Sequence, residues 1–193
     1  MSLKGTQTEK NLLISFAGEC QASMRYTMFA KQADKDASVQ IKNIFEETAR
    51  NEREHAKRFY KHLQKAVNDS EINVDWNYPV HAGDTASNLK ASAAGENEEA
   101  SDMYPKFAEI AKKEGFDDIA SDWIEIGEVE EAHRDRFLKL LENVENDKLF
   151  ERDEVVLWKC NNCGYIHEGK TAPEHCPACH HPQKWFELFV ETY

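Results

Sequence analysis

Apolar residues recur along most of the chain at steps of three and four positions, the spacing of one face of an α-helix. Four such stripes can be followed, and each predicts one long helix. Every stripe includes a glutamate at a position that the pattern assigns to the core, and two stripes add a histidine one turn later. The stripe positions are Leu12, Phe16, Glu19, Ser23, Tyr26 and Ala30; Ile41, Phe45, Thr48, Glu52, His55 and Phe59; Leu89, Ala93, Glu96, Ala100, Met103 and Phe107; and Ile119, Trp123, Ile126, Glu130, His133, Phe137, Leu140 and Val144.

Local signals place the ends of the first two helices. Thr6-Gln7-Thr8-Glu9 has the sequence of a capping box, so the first helix is predicted to begin there and to end near Lys31. Asp34-Lys35-Asp36 is predicted to be a tight connection to a second helix over about 38–67. Because the connection is short, the two helices are expected to be antiparallel neighbours.

The segment 68–86 breaks the helical pattern and predicts a long crossover. If extended it could span up to roughly 60 Å, enough to travel the length of the second helix. A third helix is predicted over about 87–115, kinked at Pro105, and a fourth over 117–146 with Asp117 as its cap. The fold expected is mainly α, a four-helix bundle whose second helix pair repeats the first about a pseudo-two-fold axis.

The two helix pairs carry the same motif. Ala17-Gly18-Glu19 is followed, 33 positions after its glutamate, by the Glu-x-x-His of Glu52 and His55. Ala94-Gly95-Glu96 is followed, 34 positions after its glutamate, by the Glu-x-x-His of Glu130 and His133. A single Glu-x-x-His arises often by chance, whereas two, each preceded by a core glutamate at nearly equal distance, indicate a repeated site.

Glutamates in a helical core need compensation, because burying an ionised carboxylate costs several kcal/mol or more. The stripes offer no lysine or arginine as a partner. Four carboxylates and two imidazoles from four helices are ligands for two metal ions, as in ferritin-like di-iron and di-manganese carboxylate proteins. The alternative is a helical bundle with partly exposed glutamates. The predicted ligands are Glu19, Glu52, His55, Glu96, Glu130 and His133.

Composition narrows the function further. The chain has 193 residues, 40% of them hydrophobic, and a formal net charge of −12. That charge disfavours nucleic acid and anionic membranes, which attract basic surfaces. The N-terminal ten residues are polar and lack the apolar core of a signal peptide, and no apolar run reaches membrane-spanning length. A cytoplasmic protein is therefore expected, whose five cysteines serve metal binding more readily than disulfides.

The C-terminal part of the chain has a different composition. The division predicted is a bundle over 1–146, a linker over 147–154 and a small domain over 155–193. The small domain contains two Cys-x-x-Cys motifs, which indicate a tetrathiolate metal site. Such a site would stabilise a domain that is too small for a large hydrophobic core. The four cysteines do not distinguish iron from zinc, and a zinc ribbon is the commoner structure. The predicted ligands are Cys160, Cys163, Cys176 and Cys179, and the predicted core is Trp158, Tyr165, Trp185 and Phe186.

These motifs together resemble the rubrerythrin family over essentially the whole chain. The resemblance lies in both Ala-Gly-Glu motifs, both Glu-x-x-His motifs, Glu99, and the two cysteine pairs with the Gly164-Tyr165-Ile166-His167 that follows the first. It implies a di-iron bundle with a C-terminal rubredoxin-like domain, and reduction of hydrogen peroxide to water as oxidative-stress protection. It also implies an external electron donor, such as rubredoxin or an NAD(P)H-dependent reductase, and a homodimer. Cys20, where the family usually has serine, is expected to be a small buried residue.

Residue roles follow from the motifs and the resemblance together. Glu52 and Glu130 are expected to bridge the two ions, with Glu19 and Glu96 as terminal ligands. Glu99 lies three residues after Glu96, on the ligand side, and the resemblance implies that it exchanges with His55 when the oxidation state changes. Two stripe tyrosines are expected to hydrogen-bond to the terminal glutamates; these are Tyr26 and Tyr104.

Two other functions remain open at this point. An iron-oxidising and iron-storing small ferritin would need the six repeated ligands but not the cysteine domain. A zinc-ribbon interaction protein on a helical scaffold would be colourless and would not turn over peroxide.

Overall fold

The computed structural model describes residues 2–67 and 69–192. Met1, Asn68 and Tyr193, which begin or end predicted segments, lie outside the described residues. The fold is mainly helical, with a small C-terminal sheet, as predicted. The part of the chain described contains no helix with the length and apolarity needed to cross a bilayer.

The first helix is longer than the sequence predicted, whereas the second agrees with the prediction to within one residue. Helix α1 spans Gln7–Asp36 and α2 spans Val39–Val67, so the predicted connection at 34–36 is wrong: it is the last turn of α1. The Thr6 hydroxyl accepts a hydrogen bond from the Glu9 backbone N–H at 3.1 Å, as a capping box requires. The Glu9 carboxylate, however, accepts from Gly5 and not from Thr6.

The second pair is reached by the predicted long crossover. Helix α3 spans Thr85–Glu98, a π segment spans Glu99–Met103, α4 spans Tyr104–Lys113 and α5 spans Asp117–Glu145. Phe116 is the N-cap of α5, so the prediction that Asp117 is the cap is wrong by one residue. Asp117 lies instead in the first helical turn, where a carboxylate favourably meets the positive end of the helix dipole.

Contacts along the bundle give the helix directions. Tyr26 near the end of α1 reaches Glu96, whereas Glu19 near its middle reaches Tyr104, so α1 and the α3–α4 run are antiparallel. Since α1 and α2 are joined by Ala37 and Ser38 alone, α2 and α3 run parallel, as the crossover predicted.

The π segment explains the unequal spacing in the two repeats. Glu19 and Glu96 are 77 positions apart, whereas Glu52 and Glu130 are 78 apart. The extra residue of the second copy falls in the π segment, where the Tyr104 N–H bonds to the Glu99 carbonyl five residues back. The interruption expected at Pro105 therefore takes the form of a wider helical turn immediately before it.

The bundle core consists of two apolar clusters with the polar ligand layer between them. One cluster is formed by residues that include Leu12, Phe59, Tyr104 and Trp123. The other is formed by residues that include Tyr26, Phe45, Leu89 and Phe137. Burying these side chains stabilises the bundle by the usual ~25 cal/mol per Å² of apolar surface, which offsets the cost of holding carboxylates inside.

The C-terminal segment forms a three-stranded antiparallel sheet in the order β2-β1-β3. The strands are β1 (Glu151–Cys160), β2 (Ile166–Thr171) and β3 (Phe186–Leu188). β1 thus begins inside the predicted 147–154 linker. Trp158 and Phe186 are buried between the strands and loops, and Tyr165 and Trp185 pack against them, as predicted. Lys184 of this unit donates a hydrogen bond to the Asp34 carbonyl of α1 at 2.6 Å.

Candidate metal centres

Four buried carboxylates face one another in the middle of the bundle. Glu19, Glu52, Glu96 and Glu130 come from α1, α2, α3 and α5, and each is at most 1% exposed. They lie on stripes whose apolar members pack above and below them, so the helix period itself directs all four inwards. His133 is buried beside them.

The ligand atoms fall into two groups that share two glutamates. In each group the oxygens and one imidazole nitrogen lie within 4.8 Å of one another, close enough to hold a metal ion. Glu52 and Glu130 belong to both groups, the geometry expected of bridging carboxylates. The groups are Glu19, Glu52, His55 and Glu130, and Glu52, Glu96, Glu130 and His133.

Both histidines direct Nδ1 at the shared carboxylates. His55 Nδ1 lies 3.0 Å from Glu52 Oε2 and 2.9 Å from Glu130 Oε1. His133 Nδ1 lies 2.8 Å from Glu130 Oε2 and 3.2 Å from Glu52 Oε1. Because a histidine one turn after a glutamate lies on the same helix face, each Glu-x-x-His brings its own carboxylate and imidazole together.

The protein atoms alone compensate this cluster only in part, because two imidazoles face four carboxylates. Glu19 Oε2, Glu52 Oε1 and Glu130 Oε1 are buried without a hydrogen bond of good geometry from the residues described, although His133 Nδ1 and His55 Nδ1 lie 3.2 Å and 2.9 Å from the last two. Burial, followed by repulsion from Glu130, raises the pKa of Glu19 well above its usual value. Burial and the charges of Glu52 and Glu130 raise the pKa of Glu96 in the same way. Two dications fit these orphaned oxygens and remove the repulsion.

The two histidines offset part of this negative charge. Burial acts to lower the pKa of His133, but hydrogen bonds to Glu130 and Glu52 raise it to about 9. Burial acts to raise the pKa of Glu52, but the bonds from His133 and His55 lower it to about 2. Without metal the imidazoles therefore act as cations, and with metal they are free to serve as neutral nitrogen ligands.

Two tyrosines fix the remaining carboxylates across the bundle. The Tyr26 hydroxyl donates to Glu96 Oε1, and the Tyr104 hydroxyl donates to Glu19 Oε1. Each bond therefore joins one repeat to the other, a crossed arrangement that the sequence alone did not specify. A hydrogen bond to a ligating carboxylate fixes its orientation.

Glu99 does not belong to either ligand group. It is half-buried at the first position of the π segment, and its Oε1 would lie 3.8 Å from a Cβ placed on Gly18. Tyr78 of the crossover borders the same place and donates a hydrogen bond to the Ile14 carbonyl of α1 at 3.1 Å. The structure thus places Glu99 next to the site, withdrawn from the six-ligand cluster.

The four predicted cysteines also converge. Their sulfurs all lie within 4.8 Å of one another, with Cys160 and Cys179 at 3.8 Å and Cys163 and Cys176 at 3.6 Å. A tetrahedron with metal–sulfur bonds of about 2.3 Å has edges of about 3.8 Å, so the spacing fits one metal ion. The backbone N–H of His181 donates a hydrogen bond to the Cys179 sulfur. This bond is the largest contribution that lowers the pKa of Cys179, which falls to about 5.

The expectation for Cys20 is corrected, and other single residues lie at the surface of the bundle or in the cysteine loops. Cys20 is exposed, because a position one residue after Glu19 is turned about 100° from the core. His62 is half-buried at the bundle surface, where its Nε2 lies 2.6 Å from Asp122. The His181 ring contacts the Cys179 carbonyl at 3.2 Å and not its sulfur. Four glutamates that lie off the stripes are exposed: Glu54, Glu98, Glu128 and Glu131.

Arg25 and Tyr78 were missed by sequence reasoning. Both line the cavity that holds Glu99. Arg25 lies immediately before Tyr26 but off the carboxylate stripe, and Tyr78 lies in a crossover without periodicity. A cation one position before a stripe residue could have been noted as a neighbour of the site, but nothing local predicted Tyr78.

The fold and the two sites define a ferritin-like di-iron carboxylate protein that carries a rubredoxin-like tetrathiolate site, with iron as the expected metal. Comparison with known proteins supports this class. The Rubrerythrin family model matches residues 10–141, and the model "Rubrerythrin, rubredoxin-like domain" matches residues 158–187.

Full-length relatives agree with these matches. A rubrerythrin from Clostridium perfringens is 54% identical over 193 residues, covering 100% of this chain and 99% of the relative. A solved structure of nigerythrin in a mixed-valence state is 30% identical, with a TM-score of 0.65 and coverage of 97% and 92%. A bacterioferritin from Desulfovibrio desulfuricans, 18% identical with a TM-score of 0.65 over 74% and 82% of the chains, shares the fold. The chain belongs to the rubrerythrin family.

Proposed function

We propose that this protein is a peroxidase that reduces hydrogen peroxide to two waters with electrons that arrive through the tetrathiolate site. The proposal is carried by one observation: a site for two metal ions and a separate four-cysteine site occur on the same chain. Each peroxide consumes two electrons and two protons. The bundle ligands would hold two ferrous ions that can give one electron each, and the four cysteines would hold an iron that can pass electrons one at a time.

The bundle residues have separate tasks in this reaction. Glu52 and Glu130, shared by the two ligand groups, would hold both ions. Tyr26 and Tyr104 hold the outer carboxylates in place, so that the ligand geometry does not have to be rebuilt in each cycle. The two apolar clusters on either side of the site exclude bulk water.

A small cavity beside Glu99 gives peroxide a place next to the site. Its volume is about 60 Å³, and Gly18, Tyr78 and Gly95 are among its lining residues. A space of this size admits a molecule as small as hydrogen peroxide or a few waters. The absence of a side chain at Gly18 keeps the Glu99 side of the cavity open.

Glu99 makes the site asymmetric, and asymmetry favours peroxide reduction over simple iron binding. The first repeat has Ala22 at the corresponding position. An added carboxylate stabilises a ferric ion more than a ferrous one, because the Coulomb energy grows with the ion's charge. With His55 on the shared carboxylates and Glu99 withdrawn, the arrangement suits the reduced state; exchange of Glu99 for His55 would suit the oxidised state.

The tetrathiolate site connects the bundle to an external reductant in the cytoplasm, a rubredoxin or an NAD(P)H-dependent reductase. Cys163 is exposed, so a donor can approach its sulfur closely. A homodimer is part of the proposal, since it allows the small unit of one subunit to serve the bundle of the other. Iron storage alone would give the tetrathiolate site no task.

Glu99→Ala tests the proposal, with Glu125→Ala, at an exposed position of α5 that does not line the cavity, as its control. Glu99→Ala should retain near-parent iron content, because the six clustered ligands remain, yet lose most donor-dependent peroxide turnover. Glu125→Ala should match the parent in both. Parent-level turnover in Glu99→Ala would exclude the exchange, and growth of an iron mineral core would favour storage.

A further inference from the structure

Arg25 has a buried donor that no described residue satisfies. The residue lies on α1, is half-buried, and buries its Nη1 atom without a hydrogen-bond partner in the described parts of the chain. Leaving a buried charged donor unpaired costs more than leaving a neutral one. An acidic group near Arg25 would lower this cost, and Glu99 lines the same cavity.

Two adjoining cavities place Arg25 next to Glu99. The 60 Å³ cavity is lined by Arg25, Glu99 and the crossover residue Tyr78. A second cavity of about 340 Å³ is also lined by Arg25, together with Phe29 and His81. Arg25 therefore lies between the larger, outer cavity and the smaller one that holds the Glu99 carboxylate.

The charges around Glu99 make Arg25 its natural counter-ion. Burial, then repulsion from Glu19, Glu130 and Glu52, raises the pKa of Glu99 well above its usual value, and the positive charge of Arg25 acts in the opposite direction. Glu98 also lines both cavities, but its carboxylate is exposed and is solvated by water. The guanidinium of Arg25, with its unsatisfied Nη1, and the withdrawn carboxyl group of Glu99 thus line one small cavity.

We propose that Arg25 is a positioning residue that stabilises the withdrawn carboxylate of Glu99 and so sets how readily Glu99 joins the ligands. This inference rests on the proposed exchange of Glu99 with His55. When Glu99 is withdrawn, its carboxyl group shares the cavity with Arg25, whose positive charge favours the ionised form; when Glu99 moves to the site, this attraction is lost. Loss of the Arg25 charge therefore favours the ligating position of Glu99 and, with it, the ferric state.

The midpoint potential of the bundle iron tests this coupling in a double-mutant cycle. Arg25→Gln should lower the potential in the parent background, because Glu99 then favours the ferric site. In the Glu99→Ala background the same substitution should have little effect. Arg25→Lys keeps the charge and should give a midpoint potential between those of the parent and Arg25→Gln. If Arg25→Gln does not fold, Arg25→Lys takes its place in the same cycle.

Controls separate the coupling from a general loss of positive charge. Arg53→Gln removes a cation that contacts Ser23 of α1 at 3.3 Å but does not line either cavity, so it should shift the potential equally in both backgrounds, or not at all. An Arg25→Gln shift of equal size with and without Glu99, or no shift, would overturn the inference. The potential of the tetrathiolate site should not change.

A structural readout needs no turnover. In crystals of zinc-loaded parent protein the Glu99 carboxylate should lie beside Gly18, and in zinc-loaded Arg25→Gln it should have moved to the metal. A carboxylate that remains beside Gly18 in the variant contradicts the inference. If Glu99→Ala alone has the midpoint potential and the turnover of the parent, the proposed role of Glu99 fails. If Glu99→Ala loses turnover but the Arg25→Gln shift is the same with and without Glu99, only the Arg25 inference fails and the proposed function stands.

Discussion

Tyr26 on α1 donates a hydrogen bond to Glu96 on α3, so a residue of the first repeat orients a metal ligand of the second. The Tyr104 hydroxyl of the second repeat donates the equivalent hydrogen bond to Glu19 of the first. The two bonds relate the halves of the site by the same pseudo-two-fold axis as the helices. Each carboxylate therefore depends on the helix pair to which it does not belong.

Tyr26→Phe should weaken metal binding on the Glu96 side. The ring would still pack against Phe45 and Phe137, so the fold should survive, but Glu96 would lose the group that orients it. Loss of such a contact typically lowers metal affinity by about 10–100-fold. Cobalt(II) titration of metal-free protein measures this, with Tyr60→Phe, an exposed tyrosine stacked on Phe16, as the control. Equal affinities for Tyr26→Phe and Tyr60→Phe would disprove the orienting role.

Glu52→Ala and Glu130→Ala should each empty or halve the bundle site. Both residues belong to both ligand groups, and removal of either leaves the other buried carboxylates without compensation. Metal analysis of each variant, corrected for the ion in the tetrathiolate site, gives the occupancy. Glu128→Ala, on the exposed face of α5, should keep the full complement. Full bundle occupancy in both ligand variants would show that the ligand assignment is wrong.

The metal-free protein should lose stability as the pH rises from about 6.5 to 9. His133 has a folded pKa of about 9, above its usual 6.5, so its contribution is complete below pH 6.5 and is lost as the pH passes 9. The raised pKa values of Glu19 and Glu96 act in the same direction. The pKa shift of His133 alone corresponds to roughly 3 kcal/mol in the free energy of unfolding. This value is an upper bound, because the ionisable groups of the cluster titrate together.

Urea unfolding at pH 6.5 and 9, with and without zinc, measures this dependence. In zinc-loaded protein the histidines are ligands and do not need a proton, so the loss should be much smaller. His133→Gln should remove part of the dependence from the metal-free protein. Metal-free protein that is equally stable at both pH values would contradict the charge pattern of the site.

Most of the bundle could be predicted because its signal is periodic. A helix that buries one face must repeat apolar residues every three or four positions, and the six ligands occupy that same period, so the four stripes located both core and site. Single boundaries were less accurate. Asp34-Lys35-Asp36 looks like a turn, yet a final helical turn tolerates charged residues in contact with solvent, and α1 continues through it.

Features that depend on non-local contacts could not be predicted from the pattern. The unequal spacing of 33 and 34 residues was visible, but only the structure shows that the extra residue widens a turn at Glu99. The withdrawn Glu99 side chain and the crossed tyrosine bonds depend on which helices become neighbours. Cys20 was expected to be buried although it lies about 100° around α1 from the ligand face, and that angle in fact turns it to the surface.

The most direct test of the account is a single-turnover reaction of fully reduced, iron-loaded protein with hydrogen peroxide, without an external donor. Cys176→Ser disrupts the tetrathiolate site, and Cys20→Ser, which alters an exposed cysteine outside it, is the matched control. Parent and Cys20→Ser should each reduce peroxide rapidly to water and then turn over repeatedly once a donor is added.

Cys176→Ser should complete one round, at one peroxide per two bundle electrons, and then stop even with the donor present. That result would place peroxide chemistry in the bundle and electron delivery in the tetrathiolate site. Sustained donor-dependent turnover by Cys176→Ser, or a reduced parent protein that does not consume peroxide, would contradict the account.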